Sequence, residues 1–266
     1  MSLKVTIVFL VIALLPLSAL AQNNKQASAP LSIDLFKCVE GGKAGTLLYI
    51  KTCASPDGNL ILFKSPWGME HIRVGAYLEG YAVCYGNTSG QQTAYDVGPV
   101  EAGWAAPYRI DGQTFPLTIY RRTLDGQLEL VQRFALDGPE RDVTLTMTLY
   151  NRSNLVLSNV MLERHVDFDV DNDYNNDWYK TNARGLVAWK ASPGSDVVSM
   201  TNLTTGVSTQ TLVEDNNTWS DLSHFAGCRM VNSFSNPGDN QGAIRYLFSN
   251  MAPGTSKTVT IVYRAF

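Results

Sequence analysis

The chain of 266 residues lacks most of the motifs that reveal an enzyme or a nucleic-acid-binding protein. It has 21 Lys and Arg against 24 Asp and Glu, so its formal net charge is −3 and no basic stripe is available for nucleic acid. It contains no G-x-S-x-G elbow, P-loop or dinucleotide fingerprint. Its three histidines do not have zinc-enzyme spacing, and they are His71, His165 and His224. Any chemistry must therefore come from residues dispersed along the sequence.

Long apolar stretches are also scarce. The apolar segment 5–17 is too short for a membrane-spanning helix, which needs roughly 20 residues. It follows the basic residue Lys4 and precedes a small-x-small site that ends at Ala21, which is the pattern of a signal peptide over residues 1–21. No later stretch approaches spanning length. We therefore expect an exported protein, periplasmic or extracellular, without a membrane span after the signal is removed.

Helical periodicity is absent as well, and the β pattern dominates from Leu31 onward. The segment VTLTMTLY (Val143–Tyr150) alternates apolar residues with threonines, which is typical of a strand with one buried face. Asp-Gly and Pro-Gly turns recur between about sixteen such strands. The polar segment 22–30 predicts a flexible arm. No linker interrupts residues 31–266, so we predict a single all-β domain, a large two-sheet antiparallel β-sandwich, with the supersandwich type included.

Two segments resemble parts of exported β-sandwich modules. Residues 149–162 (LYNRSNLVLSNVML) resemble a strand–polar turn–strand unit, and residues 251–263 (MAPGTSKTVTIVY) resemble a closing hairpin. These likenesses are shared by many unrelated families. They support the architecture and identify no family.

The four cysteines favour disulfide bonds, because an even count in an exported chain is typical of bridged pairs. No C-x₂-C pair is present, which argues against zinc. Three pairings are possible. We favour Cys38–Cys53, a local loop, and Cys84–Cys228, which ties early strands to late ones.

The densest polar feature is HVDFDVDNDYNNDW (His165–Trp178). We predict a strand over 155–171 whose alternate residues Val166, Phe168 and Val170 face the core. The intervening carboxylates then form a ladder that runs into an Asn/Asp loop. Crowded carboxylates repel one another, and Ca²⁺ takes such oxygen ligands. The candidate metal ligands are Asp167, Asp169, Asp171, Asp173 and Asp177.

Three interpretations of this acidic stretch stay open. EF-hand spacing is absent, since the sixth and twelfth positions from Asp167 are Asn172 and Trp178. An irregular calcium site and a solvated acidic turn without a ligand are equally compatible with the pattern. A catalytic carboxylate pair, as in glycosidases, is the third interpretation.

Two tryptophans extend the hypothesis to a ligand. Trp178 directly follows the acidic stretch and Trp219 follows a second polar segment, so their flat faces are candidates for stacking on sugar rings. We therefore expect a non-enzymatic binding or surface-interaction protein, calcium-stabilised and directed to a glycan or cell-surface partner. The alternative is a carbohydrate-active enzyme of the epimerase, lyase or hydrolase type on a large β-sandwich. A purely structural role in an envelope or matrix is third.

Overall fold

The computed structural model describes residues 36–73, 78–137, 139–172, 177–190, 197–215 and 228–266. The predicted signal peptide and flexible arm lie outside these residues, so both stay predictions. In the part of the chain that is described, no helix is long and apolar enough to cross a membrane.

Almost all of the regular secondary structure in the described chain is strand, as its period-two pattern predicts. A single turn of 3₁₀ helix covers Val170–Asn172. The strands are β1 (Lys37–Gly41), β2 (Ile50–Ala54), β3 (Leu60–Lys64), β4 (Glu79–Asn87), β5 (Gly90–Val97), β6 (Val100–Ala102), β7 (Arg109–Asp111), β8 (Leu117–Arg122), β9 (Leu128–Asp137), β10 (Asp142–Asn151), β11 (Leu157–Asp167), β12 (Asp177–Asn182), β13 (Gly185–Lys190), β14 (Val197–Asn202), β15 (Ser208–Asp215), β16 (Asn240–Met251) and β17 (Ser256–Ala265).

These strands form two large antiparallel sheets and one small one. The eight-stranded sheet has the order β12-β13-β14-β17-β10-β9-β8-β7. The six-stranded sheet has the order β15-β16-β11-β4-β5-β6, and β1, β2 and β3 form the third sheet. The fold is the disulfide-bonded antiparallel β-sandwich that the sequence predicts.

The core lies between the two large sheets. Strand β10 buries its alternate residues from Val143 to Leu149, and the threonines between them are only partly buried. The opposing strand β11 contributes Leu162 and Val166 to the same hydrophobic cluster. One apolar face per sheet is the pattern that two packed antiparallel layers require.

Both disulfides join the cysteines that the sequence pairs. Cys38 and Cys53 lie opposite each other on β1 and β2. Cys84 on β4 is bonded to Cys228, 144 residues later in the chain. The second bond fixes Cys228 to the outward face of the six-stranded sheet, where both cysteines pack with Ala82 and Met161.

The segment that resembles a closing hairpin is not one. Strand β16 ends in the six-stranded sheet and β17 begins in the eight-stranded sheet, so the turn between them joins two layers. The turn from β10 to β11 crosses between the layers in the same way. Asn151 links the two crossings, because its Nδ2 donates to the carbonyl oxygens of Leu155 and Met251 at 2.8 and 2.9 Å. Local sequence patterns do not distinguish such crossings from hairpins.

Candidate functional site

The acidic stretch begins on β11 and leaves the sheet at its end. The strand ends at Asp167, four residues before the predicted end at Asp171, and the 3₁₀ turn follows. Val166, Phe168 and Val170 are fully buried in the core, as the alternation predicts. Asp177 then begins β12 in the other large sheet. The stretch therefore passes from one sheet to the other.

Its described carboxylates are buried, which makes the solvated-turn interpretation wrong for them. Asp167, Asp169 and Asp177 are 3%, 2% and 1% exposed. The chain after Cys228 contacts this stretch: the N–H of Gly238 donates to the carbonyl oxygen of Asp177 at 3.0 Å, and Asp239 lies close enough to act on the pKa of Asp169. These side chains are therefore buried although they do not belong to the apolar core.

Asp169 is the most strongly perturbed of these carboxyl groups. Burial raises the pKa of Asp169, and the negative charges of Asp167, Asp177, Asp239 and Glu70 raise it further. Among the described residues, its buried Oδ2 has no hydrogen-bond partner. We refer to these five acids, Glu70, Asp167, Asp169, Asp177 and Asp239, as the acidic cluster.

Backbone hydrogen bonds hold this cluster in place. The Tyr179 hydroxyl accepts from the N–H of Phe168 at 2.6 Å and donates to the carbonyl oxygen of the same residue at 2.9 Å. The N–H of Asp169 donates to the carbonyl oxygen of His71 at 3.0 Å. The N–H of Val170 donates to Asp177 Oδ2 at 3.3 Å. The carboxylates are thus attached to a fixed frame.

Glu70 joins the cluster from the segment that ends at His71; the sequence marked this acid only as the neighbour of His71 and did not connect it with the acidic stretch. Burial raises the pKa of Glu70, and backbone N–H groups that donate to its carboxylate act in the opposite direction. Their donors include Phe63, at 2.9 Å. A cavity of about 360 Å³ opens beside it, lined by Leu62, Lys64, Glu70, Arg73 and Asn172. Asp239 is the other member that was not predicted as a site residue; the sequence indicated only a Pro-Gly turn before it.

The structure therefore brings three of the five predicted metal ligands together. Asp167, Asp169 and Asp177 lie in one cluster, whereas the side chain of Asp171 and all of Asp173 lie outside the described part of the structure. Oxygen-rich carboxylate sites suit a hard cation such as Ca²⁺. The donor chemistry of the acidic cluster fits that ion.

Among the described residues, the carboxylates whose oxygens all lie within 4.8 Å of one another are Asp57, Asp96 and Glu101. They surround Arg121, whose guanidinium donates to Asp96 and to Glu101. Burial raises the pKa of Asp96 to about 6 against the attraction of Arg121. A protein cation already occupies the centre of this group, so we assign it a structural role.

A second buried charged group lies on β11, before the acidic cluster. Arg245 Nε donates to Glu163 Oε1 at 2.6 Å, and His165 Nε2 lies 3.2 Å from Glu163 Oε2. Burial opposes ionisation, yet His165 and Arg245 hold the pKa of Glu163 below its ordinary value. Arg245 also donates to the carbonyl oxygen of Met230 at 3.1 Å. The group thus ties the chain after Cys228 to the sheet.

Of the two tryptophans proposed to stack on sugar rings, the structure describes Trp178. Trp178 is partly exposed on β12, directly after Asp177. Its ring stacks with Trp189 of β13, with centroids 6.3 Å apart and planes inclined by 21°. The tryptophan pair is therefore connected to the acidic cluster through one peptide bond. Trp219 lies outside the described residues.

Sequence comparisons find no relatives: no protein-family model matches the chain, and no curated protein matches it. Solved structures do match its fold. A bacterial glucoamylase in complex with acarbose covers 81% of this chain with a TM-score of 0.55 and 10% identity. The heparan sulfate lyase HepC from Pedobacter heparinus covers 88%, with a TM-score of 0.49 and 9% identity.

The match covers 30% of the glucoamylase and 35% of the lyase, so this chain spans about a third of each protein. At 10% identity, the likeness to the glucoamylase shows the fold alone. It agrees with the large β-sandwich described above.

Proposed function

We propose that this chain is an exported carbohydrate-binding domain whose acidic cluster holds a calcium ion. The carrying observation is Asp169, a buried carboxyl group among four other acids with an oxygen that no described residue hydrogen-bonds. Buried like charges are costly unless a cation or a proton neutralises them. A calcium ion would do so with the oxygen ligands it prefers.

The ion would also support the ligand surface. Asp177 belongs to the acidic cluster and Trp178 follows it on the same strand, where its ring stacks with Trp189. Fixing Asp177 therefore fixes the start of β12 and the orientation of the tryptophan pair. Flat aromatic rings that are partly exposed suit stacking on sugar rings. The fold shared with a glucoamylase agrees with a carbohydrate ligand but does not specify it.

Thermal unfolding with Ca²⁺ and with a chelator tests the ion. At a free concentration one hundred times its Kd, binding adds about 2.7 kcal/mol, which raises the Tm by about 5–10 °C for a chain of this size. Asp169→Asn should abolish this shift. Asp137→Asn, an exposed carboxylate at the end of β9, is the matched control and should retain it. An equal Tm with calcium and with chelator in the wild type would contradict the calcium site.

A glycan array tests the ligand. Binding that is lost in Trp178→Ala and kept in Trp67→Ala supports the tryptophan pair, because Trp67 is 52% exposed and contacts Tyr49 edge to face instead. Binding that is unaffected by Trp178→Ala would contradict the proposed surface.

A carbohydrate-active enzyme is the second candidate, because Glu163 and His165 place an acid and a base 3.2 Å apart. Both side chains are almost completely buried, so a substrate reaches them only if the covering chain moves. Saccharide turnover that disappears in His165→Ala, with the fold retained, would favour the enzyme over the binding domain.

A further inference from the structure

The outward face of the eight-stranded sheet carries a group of arginines and tyrosines at the β7 edge. Alternate residues of β7, β8, β9 and β10 point away from the core there, and the adjoining loops add two more residues. We call this surface the arginine–tyrosine face. Its members are Tyr108, Arg109, Tyr120, Arg122, Arg133, Tyr150 and Arg152.

Each of three arginines stacks on a tyrosine. The guanidinium carbon of Arg109 lies 4.7 Å from the centroid of the Tyr120 ring. Arg122 lies 5.0 Å from the centroid of Tyr108. The third stack repeats this geometry at 4.5 Å, between Arg152 and Tyr150. Stacking restricts these long side chains before a ligand arrives, so less conformational entropy is lost on binding.

The carboxylates on this face leave it positive. Glu129 is buried between Arg122 and Arg152, whose guanidinium groups donate to its two oxygens at 2.9 and 2.5 Å. Asp111 pairs with Arg109 at 2.6 Å. Arg133 is exposed and forms no ion pair with a described residue. Four arginines and two carboxylates give this face two net positive charges, on a chain whose net charge is −3.

The donors remain accessible. The side chains of Arg109, Arg122 and Arg152 are 58%, 50% and 44% exposed, and Tyr108 is 52% exposed. Each guanidinium has five N–H donors, so one partner carboxylate leaves donors free for a ligand. Planar guanidinium groups suit carboxylate and sulfate oxygens in particular.

We propose that the arginine–tyrosine face binds an acidic polysaccharide through its carboxylate or sulfate groups. Charge complementarity selects an anionic ligand, and the rows of donors across four strands select an extended chain. The tyrosine rings between the arginines offer apolar contact to sugar rings. This surface is separate from Asp177 and Trp178, which lie on β12 at the opposite edge of the same sheet, although both proposals concern carbohydrate.

Binding to immobilised heparin and to polygalacturonate tests the proposal, with a neutral glucan and duplex DNA as comparison probes. The wild type should bind at least one acidic polysaccharide, with an affinity that falls as salt is added. Arg109→Gln with Arg133→Gln should weaken binding by about tenfold or more, because each charge-assisted hydrogen bond is worth about a factor of ten. These two substitutions leave the ion pairs of buried Glu129 with Arg122 and Arg152 intact.

Arg229→Gln with Arg184→Gln is the matched control, since Arg229 is exposed beside Cys228 on the other side of the sandwich, Arg184 is exposed at the turn between β12 and β13, and their loss removes the same two charges. Equal weakening in this variant, or DNA binding as strong as polysaccharide binding, would reduce the effect to general charge attraction and overturn the proposal. Absence of binding to both acidic polysaccharides would also overturn it.

The assay is repeated in chelator and with Trp178→Ala. Binding that persists in both supports a separate arginine–tyrosine face whether or not the calcium site exists. Binding that requires calcium or Trp178 assigns the acidic polysaccharide to the β12 edge and overturns this proposal alone.

Discussion

Arg164 and Glu79 form a fully buried ion pair between the two large sheets. Arg164 Nε and Nη2 donate to the two carboxylate oxygens of Glu79 at 2.5 and 2.7 Å. Arg164 also donates to Gln132 on the opposite sheet at 2.7 Å, and the Tyr263 hydroxyl donates to Glu79 at 2.6 Å. The pair therefore connects the layers through a buried polar network that includes Gln132 and Tyr263.

Arg164→Met should lower the free energy of unfolding by about 3–5 kcal/mol, because it leaves the Glu79 carboxylate buried without its counter-charge. Urea denaturation measures the change. Arg184→Met, at an exposed hairpin, should stay within about 0.5 kcal/mol of the wild type. Combining Arg164→Met with Glu79→Met should regain part of the loss, since an apolar pair needs no counter-charge while Gln132 and Tyr263 lose their hydrogen-bond partners. A loss for Arg164→Met as small as for Arg184→Met would contradict a stabilising role for this pair.

The Cys84–Cys228 bond should stabilise the fold more than Cys38–Cys53. The two bonds span 144 and 15 residues, and loop-closure entropy predicts contributions of about 5 and about 3 kcal/mol. We expect Cys84→Ala with Cys228→Ala to lower the urea midpoint further than Cys38→Ala with Cys53→Ala. Because the long-range bond also anchors the chain that leads to Asp239 of the acidic cluster, its removal should weaken calcium binding, whereas removal of the local bond should not. Equal calcium affinities in the two variants would contradict this coupling.

Sequence reasoning recovered the parts of the fold that depend on local alternation. The period of two in β10 and the apolar residues behind the acidic stretch were read directly, and the even cysteine count supported the correct pairing. Local alternation does not predict the burial of Arg164. It occupies an inward position between Leu162 and Val166, and only Glu79, 85 residues away, makes its burial favourable.

The burial of the acidic cluster could not be predicted from local alternation either. The alternation turned Asp167 and Asp169 away from the core, which for an isolated strand means solvent. Both are buried, and the acids that act on Asp169 include Asp239, about seventy residues later, and Glu70, about one hundred residues earlier. Contacts at such separations leave no periodic signal in the sequence.

The raised pKa of Asp169 predicts that calcium affinity increases with pH. Without the ion, burial and the neighbouring carboxylates favour the protonated form of Asp169, so calcium must displace a proton. Displacing one proton changes the affinity by up to about tenfold per pH unit. Calorimetric titrations at about pH 5.5 and about pH 7.5, in buffers of different ionisation enthalpy, measure both the affinity and the proton release.

The pH dependence of stability should reverse in sign when calcium is added. In chelator, the folded pKa of Asp169 lies above its ordinary value of 3.8. The native state therefore binds this proton more tightly than the unfolded chain does. The resulting stabilisation is complete below pH 3.8 and is lost as the pH rises through the raised pKa. Calcium favours the ionised carboxylate instead, so the ion should stabilise the protein increasingly as the pH rises. Asp169→Asn removes this titrating group and should reduce both trends, leaving the pH dependence that Glu79 and Asp96 contribute, whereas Asp137→Asn should leave both trends unchanged. A calcium affinity that is equal at about pH 5.5 and at about pH 7.5 would mean that Asp169 is not a ligand.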